Sequence, residues 1–289
     1  MQTLSTTQFT LTEWAYRPEQ SYPDPFNQIE LDVDISGPNG QTWRVPAFWA
    51  GGQEWRARFT PPMPGEYSLR SVCSVESDGG LHGVTGRLVA APAVDPNPLA
   101  QRGPLRPSAD RRCLEHADGT PFFWLGDTWW MAFCKRLEWP GDFQLLTADR
   151  VAKGFSVIQV VAGLYPDMAG FDPRGENEAG FPWEPGYARI NPAYFDMADR
   201  RIDWLVESGL LPCIVGCWGY YLPLLDPEDP ALPKMKRHWR YLVARWGAYP
   251  VVWCLAGEAN MPYYLSKDPA GDRERQRSGW TEMARYVRA

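Results

Sequence analysis

The sequence predicts an α/β chain: an all-β, Ig-like sandwich, then a (β/α)8-type barrel of which about four βα units are present. Three observations carry this expectation. Residues 1–95 break into short alternating strands between glycine and proline turns, with no helical period. Pro92 to Pro107 holds five prolines and no periodicity, as a linker does. From residue 120 onward, strand-length apolar runs alternate with helix-length amphipathic ones. The expected division is a sandwich at 1–95, a linker at 96–107 and a half-barrel at 108–289.

The first strands are read from alternation. Phe9 to Trp14 alternates, and in Ile29 to Ile35 the residues Ile29, Leu31, Val33 and Ile35 share one face while Glu30, Asp32 and Asp34 share the other. Gly37-Pro-Asn-Gly40 marks a hairpin turn. Strands at Thr42–Trp49, Glu54–Phe59, Glu66–Cys73 and Gly86–Ala90 follow, the first two separated by Gly51-Gly52. Trp43, Phe48, Trp49 and Trp55 could line a sugar-binding face, but core packing is the favoured reading. Asp118-Gly119 then predicts a small hairpin leading into the second domain.

Phe122–Leu125 is apolar on both faces, as a buried parallel strand should be. A helix is expected at about 142–153, stopped by Gly154, and a strand at Phe155–Ala162. The long segment Gly163 to Tyr187 reads as a functional loop. Asn191 as N-cap and Pro192 at the first position open a helix that ends before Gly209. A strand at Leu211–Cys217, a helix at about 232–249, a strand at Val251–Ala256 and a helix at Glu274–Val287 complete the pattern. No glycine-rich phosphate loop follows any strand, which disfavours a nucleotide fold. Four such units leave two open edges and an uncovered inner face. A fragment of a longer protein is the favoured explanation, a pairing of two copies the other.

Composition narrows the function. Net charge is -6 with 22% charged residues, and no basic patch suggests nucleic acid as partner. No apolar run has the length of a membrane span, and Met1 to Thr10 lacks the pattern of a signal peptide. A cytoplasmic chain is expected, or a secreted one if a segment precedes it. Six cysteines without a C-x-x-C pair, and three histidines, favour reduced thiols over a disulfide framework or a metal site; no cofactor is expected. No lysine ends a strand, which disfavours an aldolase barrel. Fifteen tryptophans and 13 tyrosines suit a carbohydrate partner, since flat rings stack on sugar C–H faces. The sequence sets no oligomeric state.

In an α/β barrel, chemistry sits where strands end. The first predicted strand ends at Asp127, followed by Trp129 and Trp130. Gln159 interrupts the apolar second strand, with Tyr165 and Asp167 beyond it. Trp218, Tyr220 and Tyr221 follow the third, and Gly257-Glu258-Ala259-Asn260 the fourth. Acids, amides and rings together have the composition of a carbohydrate site. Glu258 leaves a fully apolar strand, where desolvation would favour the neutral carboxyl that a general acid needs. Asp127 is the other carboxylate on offer; a structural Glu258 paired with Arg245 is the competing reading.

Asp118-Gly-Thr-Pro-Phe-Phe-Trp-Leu-Gly-Asp-Thr-Trp-Trp130 resembles the opening signature of the apiosidase-like (β/α)8 glycoside hydrolases. Arg150 to Gln159 resembles that family's second strand, with Ser156 where Asn is common, and Val251 to Glu258 resembles its fourth. Val45–Gly52 and Trp55–Pro62 resemble the β-sandwich often found ahead of such barrels. The resemblance implies hydrolysis of plant or microbial polysaccharide. It maps the acid/base carboxyl to Glu258 and places the second catalytic Glu on a later strand. Asp127, Trp129, Trp130, Gln159, Tyr165, Trp218, Tyr220 and Asn260 are the expected sugar contacts, and a non-catalytic carbohydrate-binding chain is the alternative.

Overall fold

The computed structural model describes residues 2–94, 97–227 and 229–288. The chain forms two compact units, residues 1–124 with 243–250 and residues 125–242 with 251–289. The expected limit between residues 95 and 96 lies outside the described residues.

Among the described residues the first unit begins with β1 (Gln2–Thr7), β2 (Thr12–Tyr16), helix α1 (Pro25–Gln28), β3 (Leu31–Ser36), β4 (Thr42–Pro46), β5 (Phe48–Gly51), β6 (Glu54–Phe59), β7 (Gly65–Cys73) and β8 (Thr85–Ala91). They form a five-stranded sheet, β1-β8-β7-β3-β4, and a three-stranded sheet, β2-β6-β5. In β3 the alternation works as read: Leu31, Val33 and Ile35 are fully buried, and the intervening aspartates are not. Phe59 of β6 meets Trp43 of β4 at 5.4 Å and Tyr67 of β7 at 5.6 Å, so aromatic rings join the two sheets. Phe48, Trp49 and Trp55 are buried and therefore core.

The described part of the proline-rich segment carries short elements. It holds α2 (Pro98–Gln101), begun by the Asn97 side chain, and β9 (Leu105–Pro107). With β10 (Leu114–His116) and β11 (Pro121–Phe122), β9 makes a small antiparallel sheet. Asp118-Gly119 makes the predicted turn: His116 N–H donates to the Thr120 carbonyl at 2.8 Å, and Gly119 has φ +88°.

The expected strand at Phe122–Leu125 is not part of the parallel sheet. Phe122 pairs with Leu114 in the hairpin, while Phe123 and Trp124 are 76% and 42% exposed. The sheet starts four residues later, at β12 (Gly126–Trp129). An apolar run too short to show a period cannot announce its own pairing frame, and the Asp118-Gly119 turn claimed its first residue.

The second unit then continues with α3 (Gly141–Ala152), β13 (Val157–Val161), α4 (Pro192–Glu207), β14 (Leu211–Val215), α5 (Tyr221–Leu225), α6 (Pro233–Trp246), β15 (Val252–Cys254) and α7 (Pro269–Arg288). The strands lie in the order β12-β13-β14-β15, all parallel. Asn191 does not cap α4 with its side chain. Its amide instead donates to the Ala179 and Phe181 carbonyls, 2.9 Å each, pinning the long loop to the helix start.

Residues paired across parallel strands share a face. Trp129, Val160, Ile214 and Trp253 are on one face, where Trp129 meets Phe143 of α3 and Trp253 meets Trp239 of α6. Helices cover that face. Thr128, Gln159, Cys213 and Val252 line the other, where Thr128 is exposed and Gln159 and Val252 are half-buried, while Cys213, Val157, Val161 and Val215 of the same face are buried. No helix among the described residues is long and apolar enough to cross a membrane.

Candidate active site

The polar residues of the open face form a row. Thr128 Oγ1 lies 3.5 Å from Gln159 Oε1, and Gln159 Nε2 lies 3.9 Å from Cys213 Sγ. Burial pushes the Cys213 thiol up to about 11, so it is a neutral wall and not a nucleophile at neutral pH. At the C-terminal edge of the sheet, Glu258 is exposed and its Oε2 accepts from Trp218 Nε1–H at 3.1 Å. Trp130 follows β12 directly, is 41% exposed, and meets Trp218 edge-on at 5.2 Å. Asn260 is exposed two residues beyond Glu258.

The structure therefore brings together Glu258, Trp218, Trp130 and, by shared face, Gln159. Other predicted site residues are placed elsewhere. Asp127 lies within β12 on the helix-covered side, where Oδ2 accepts from Trp129 Nε1–H at 2.8 Å and Arg150 Nε–H at 2.5 Å. Burial works to raise this carboxyl, but donation from Trp129 and Arg150 outweighs it and holds the group below its usual range. Asp127 is thus a fixed carboxylate bracing β12 to α3, and Trp129 is buried beside it. Tyr165 is buried, its hydroxyl 2.6 Å from that of Tyr194. Tyr220 is buried too, its hydroxyl donating to the Tyr165 and Met168 carbonyls at 2.9 and 2.8 Å. Both tyrosines tie down the long loop and offer no ring to a sugar. Arg245 does not pair with Glu258; its guanidinium lies 4.8 Å over the Phe48 ring, within the first unit.

Glu258 leaves the sheet in an exposed turn. Sequence reading passed over Thr128. Once β12 is framed at Gly126, alternation turns Asp127 and Trp129 to the helices and Thr128 to the open face. Gly257, which precedes Glu258, lies against the Trp218 ring.

A family model described as apiosidase-like, catalytic domain, matches residues 108–289, and the chain belongs to that family. A second model, a domain of unknown function (DUF5060), matches residues 5–74. A search of curated proteins finds no match. Among solved structures, a proposed glycoside hydrolase from Bacteroides vulgatus superposes with a TM-score of 0.72 at 18% identity, covering 98% of this chain and 53% of that one. At that identity the likeness concerns the fold. A family 5 glycoside hydrolase from Bacteroides vulgatus has a TM-score of 0.42 at 22% identity, covering 65% of this chain and 37% of its own. A beta-glucosidase from Thermotoga maritima has a TM-score of 0.39 at 14% identity, covering 57% and 45%. The chain spans about half the length, 53%, of the first of these structures.

Proposed function

We propose that the chain serves in cleaving glycosidic bonds of plant or microbial polysaccharide, with Glu258 as general acid/base. In this reading residues 108–289 are the first four βα units of a (β/α)8-type barrel, behind an Ig-like sandwich at 1–95 and a linker at 96–107. The observation that carries it is the placement of Glu258. It is an exposed carboxylate at the C-terminal edge of a parallel sheet, held by Trp218, with the open ring of Trp130 next to that tryptophan. Trp130 supplies the stacking surface. Thr128 and Gln159 supply a hydroxyl and an amide to sugar hydroxyls, and Asn260 a second amide at the edge.

Glycoside hydrolysis ordinarily uses two carboxyls, about 5–5.5 Å apart with retention and about 6.5–9.5 Å with inversion. Asp127 is committed to Arg150 on the other face and is not the second. We assign that role to a residue beyond Ala289, consistent with the 53% coverage of the structural match. Glu258→Gln keeps the size and hydrogen-bonding capacity of the side chain but carries no transferable proton. In a protein that carries the residues beyond Ala289, hydrolysis of a polysaccharide panel should fall by about 10²-fold or more, while sugar binding by calorimetry persists. Retention of most activity would overturn the assignment. The commitment of Asp127 also favours a second reading, a carbohydrate-binding chain without hydrolysis. In that case Glu258→Gln and wild type bind alike and neither cleaves.

A further inference from the structure

Trp218 has the residue type of a sugar-stacking platform, yet it is only 7% exposed, and its polar edge is spent on Glu258. We propose that Trp218 is a positioning residue that holds Oε2 of Glu258, and so assigns Oε1 as the oxygen that gives and takes the proton. The inference rests on Glu258 being the general acid/base.

The contact is built by the backbone on both sides. Trp218 and Gly257 form a parallel bridge just past β14 and β15. Gly219 N–H donates to the Gly257 carbonyl at 2.7 Å, and Gly257 N–H to the Cys217 carbonyl at 3.0 Å. The indole lies directly on Gly257: a Cβ there would come within 2.3 Å of ring atoms Cε3 and Cζ3. A Cβ on Gly219 would come within 2.6 Å of the Glu258 carbonyl oxygen. Two glycines thus let the two strand ends cross at backbone distance. Glu258 itself has φ +49°, uncommon outside glycine, and its carbonyl accepts from Met261 N–H at 3.0 Å. Trp130 packs edge-to-face with the indole, ring centroids 5.2 Å apart. The ring is enclosed, the carboxyl is exposed, and one N–H joins them.

The chemistry follows from which oxygen is occupied. In the neutral acid the proton resides on Oε1. It passes to the glycosidic oxygen as the bond from that oxygen to the anomeric carbon breaks. The bonding pair stays with the departing oxygen, which leaves as a hydroxyl. Glu258 becomes a carboxylate, and its new charge is shared with Oε2, where the indole N–H already points. Hydrogen bonds to an ionised acceptor are roughly twice as strong as to a neutral one, so this bond strengthens as the proton leaves. In the return step Oε1 takes a proton from the water whose oxygen bonds to the anomeric carbon.

The first test needs no sugar. The indole N–H resonances of the 15 tryptophans are followed by 15N-resolved NMR across acidic pH in wild type and Glu258→Gln. One indole that titrates in wild type should become pH-independent in the variant. The Trp129 indole, bound to Asp127, should behave alike in both and serves as the control. If no indole changes its pH dependence, the proposal is overturned. Trp218→Phe should delete the responding signal, but the comparison stands without that variant if it fails to fold. The second test uses methyl and nitrophenyl glycosides of a sugar that the wild type hydrolyses. Trp218→Phe should lower kcat about tenfold with little change in KM on the methyl glycoside, whose leaving alcohol needs the proton, and much less on the nitrophenyl glycoside. Equal losses on both would mean a structural role only. Absence of hydrolysis by a wild type that carries the residues beyond Ala289 would sink the glycosidase reading and leave the resonance result standing.

Discussion

Gly257 and Asp127 show how single residues carry the site without touching a sugar. Because the Trp218 ring occupies the space of a Gly257 side chain, Gly257→Ala must move the ring or the bridge. Overpacking of this kind costs about 1–3 kcal/mol, so urea unfolding should show that loss together with a changed tryptophan emission. An unchanged midpoint would mean the strand ends give way freely. Asp127→Asn acts differently. It leaves the open face alone but weakens the ties to Arg150 and Trp129, so the expected loss is about 1–3 kcal/mol of stability with sugar binding retained on the surviving fold. A selective loss of binding at full stability would return Asp127 to the site. The sequence displayed all these residues but not their directions. Asp127 and Glu258 both stood after apolar runs, and the two-residue period decides which face each takes. With β12 framed four residues early, Asp127 and Trp129 looked like edge residues, and Thr128 went unnoticed.

Elements were most legible where chemistry punctuates them. Pro192 opens α4, and Gly154 and Gly209, with φ of +76° and +78°, end the segments before β13 and β14. The long loop after β13 was recognisable by length and composition, but not what fastens it. One fastener is His238 of α6, fully buried. Its Nδ1 accepts from the Trp183 indole at 3.3 Å, so Nε2 carries the hydrogen and donates to the Gly216 carbonyl at 2.8 Å. A lone histidine in a helix gives no sign of this from sequence, because its partners are 55 and 22 residues away. Burial pushes the imidazole down to about 4, against the opposing pull of the Gly216 carbonyl. The unfolded chain therefore binds this proton more readily than the folded one. Stability from this group is complete above about pH 6.5 and is lost as pH falls through about 4, a span worth on the order of 3 kcal/mol. Urea midpoints at pH 7 and pH 5 should converge in His238→Gln relative to wild type. Equal pH slopes in the two proteins would exclude His238 as the acid-sensitive fastener.

At the scale of the whole molecule, the second unit has one sheet face covered by helices and one face exposed only in part, at Thr128, Gln159 and Val252, and its thiols report on both. All six cysteines are free. Cys113 is exposed, Cys254 of β15 is half-buried, and Cys73, Cys134, Cys213 and Cys217 are buried. Burial raises the Cys254 thiol, which slows it further, since the thiolate is the reactive form. Labelling of the native chain with an aromatic disulfide should therefore resolve one fast thiol, Cys113, one slow thiol, Cys254, and four that react only on unfolding. Cys113→Ser should remove the fast phase and Cys254→Ser the slow one. The slow phase is the informative one. Cys254 shares a face with Val215, its neighbour in register, which is itself buried, so access to this thiol reports on how that face is covered. In a longer protein whose further strands close over this face, Cys254 should join the protected class while Cys113, in the first unit, stays fast. A Cys254 already protected in the 289-residue chain would mean that the face is covered in solution, by a second copy or by rearrangement. Sedimentation at two concentrations would separate those two causes, because only the first depends on concentration.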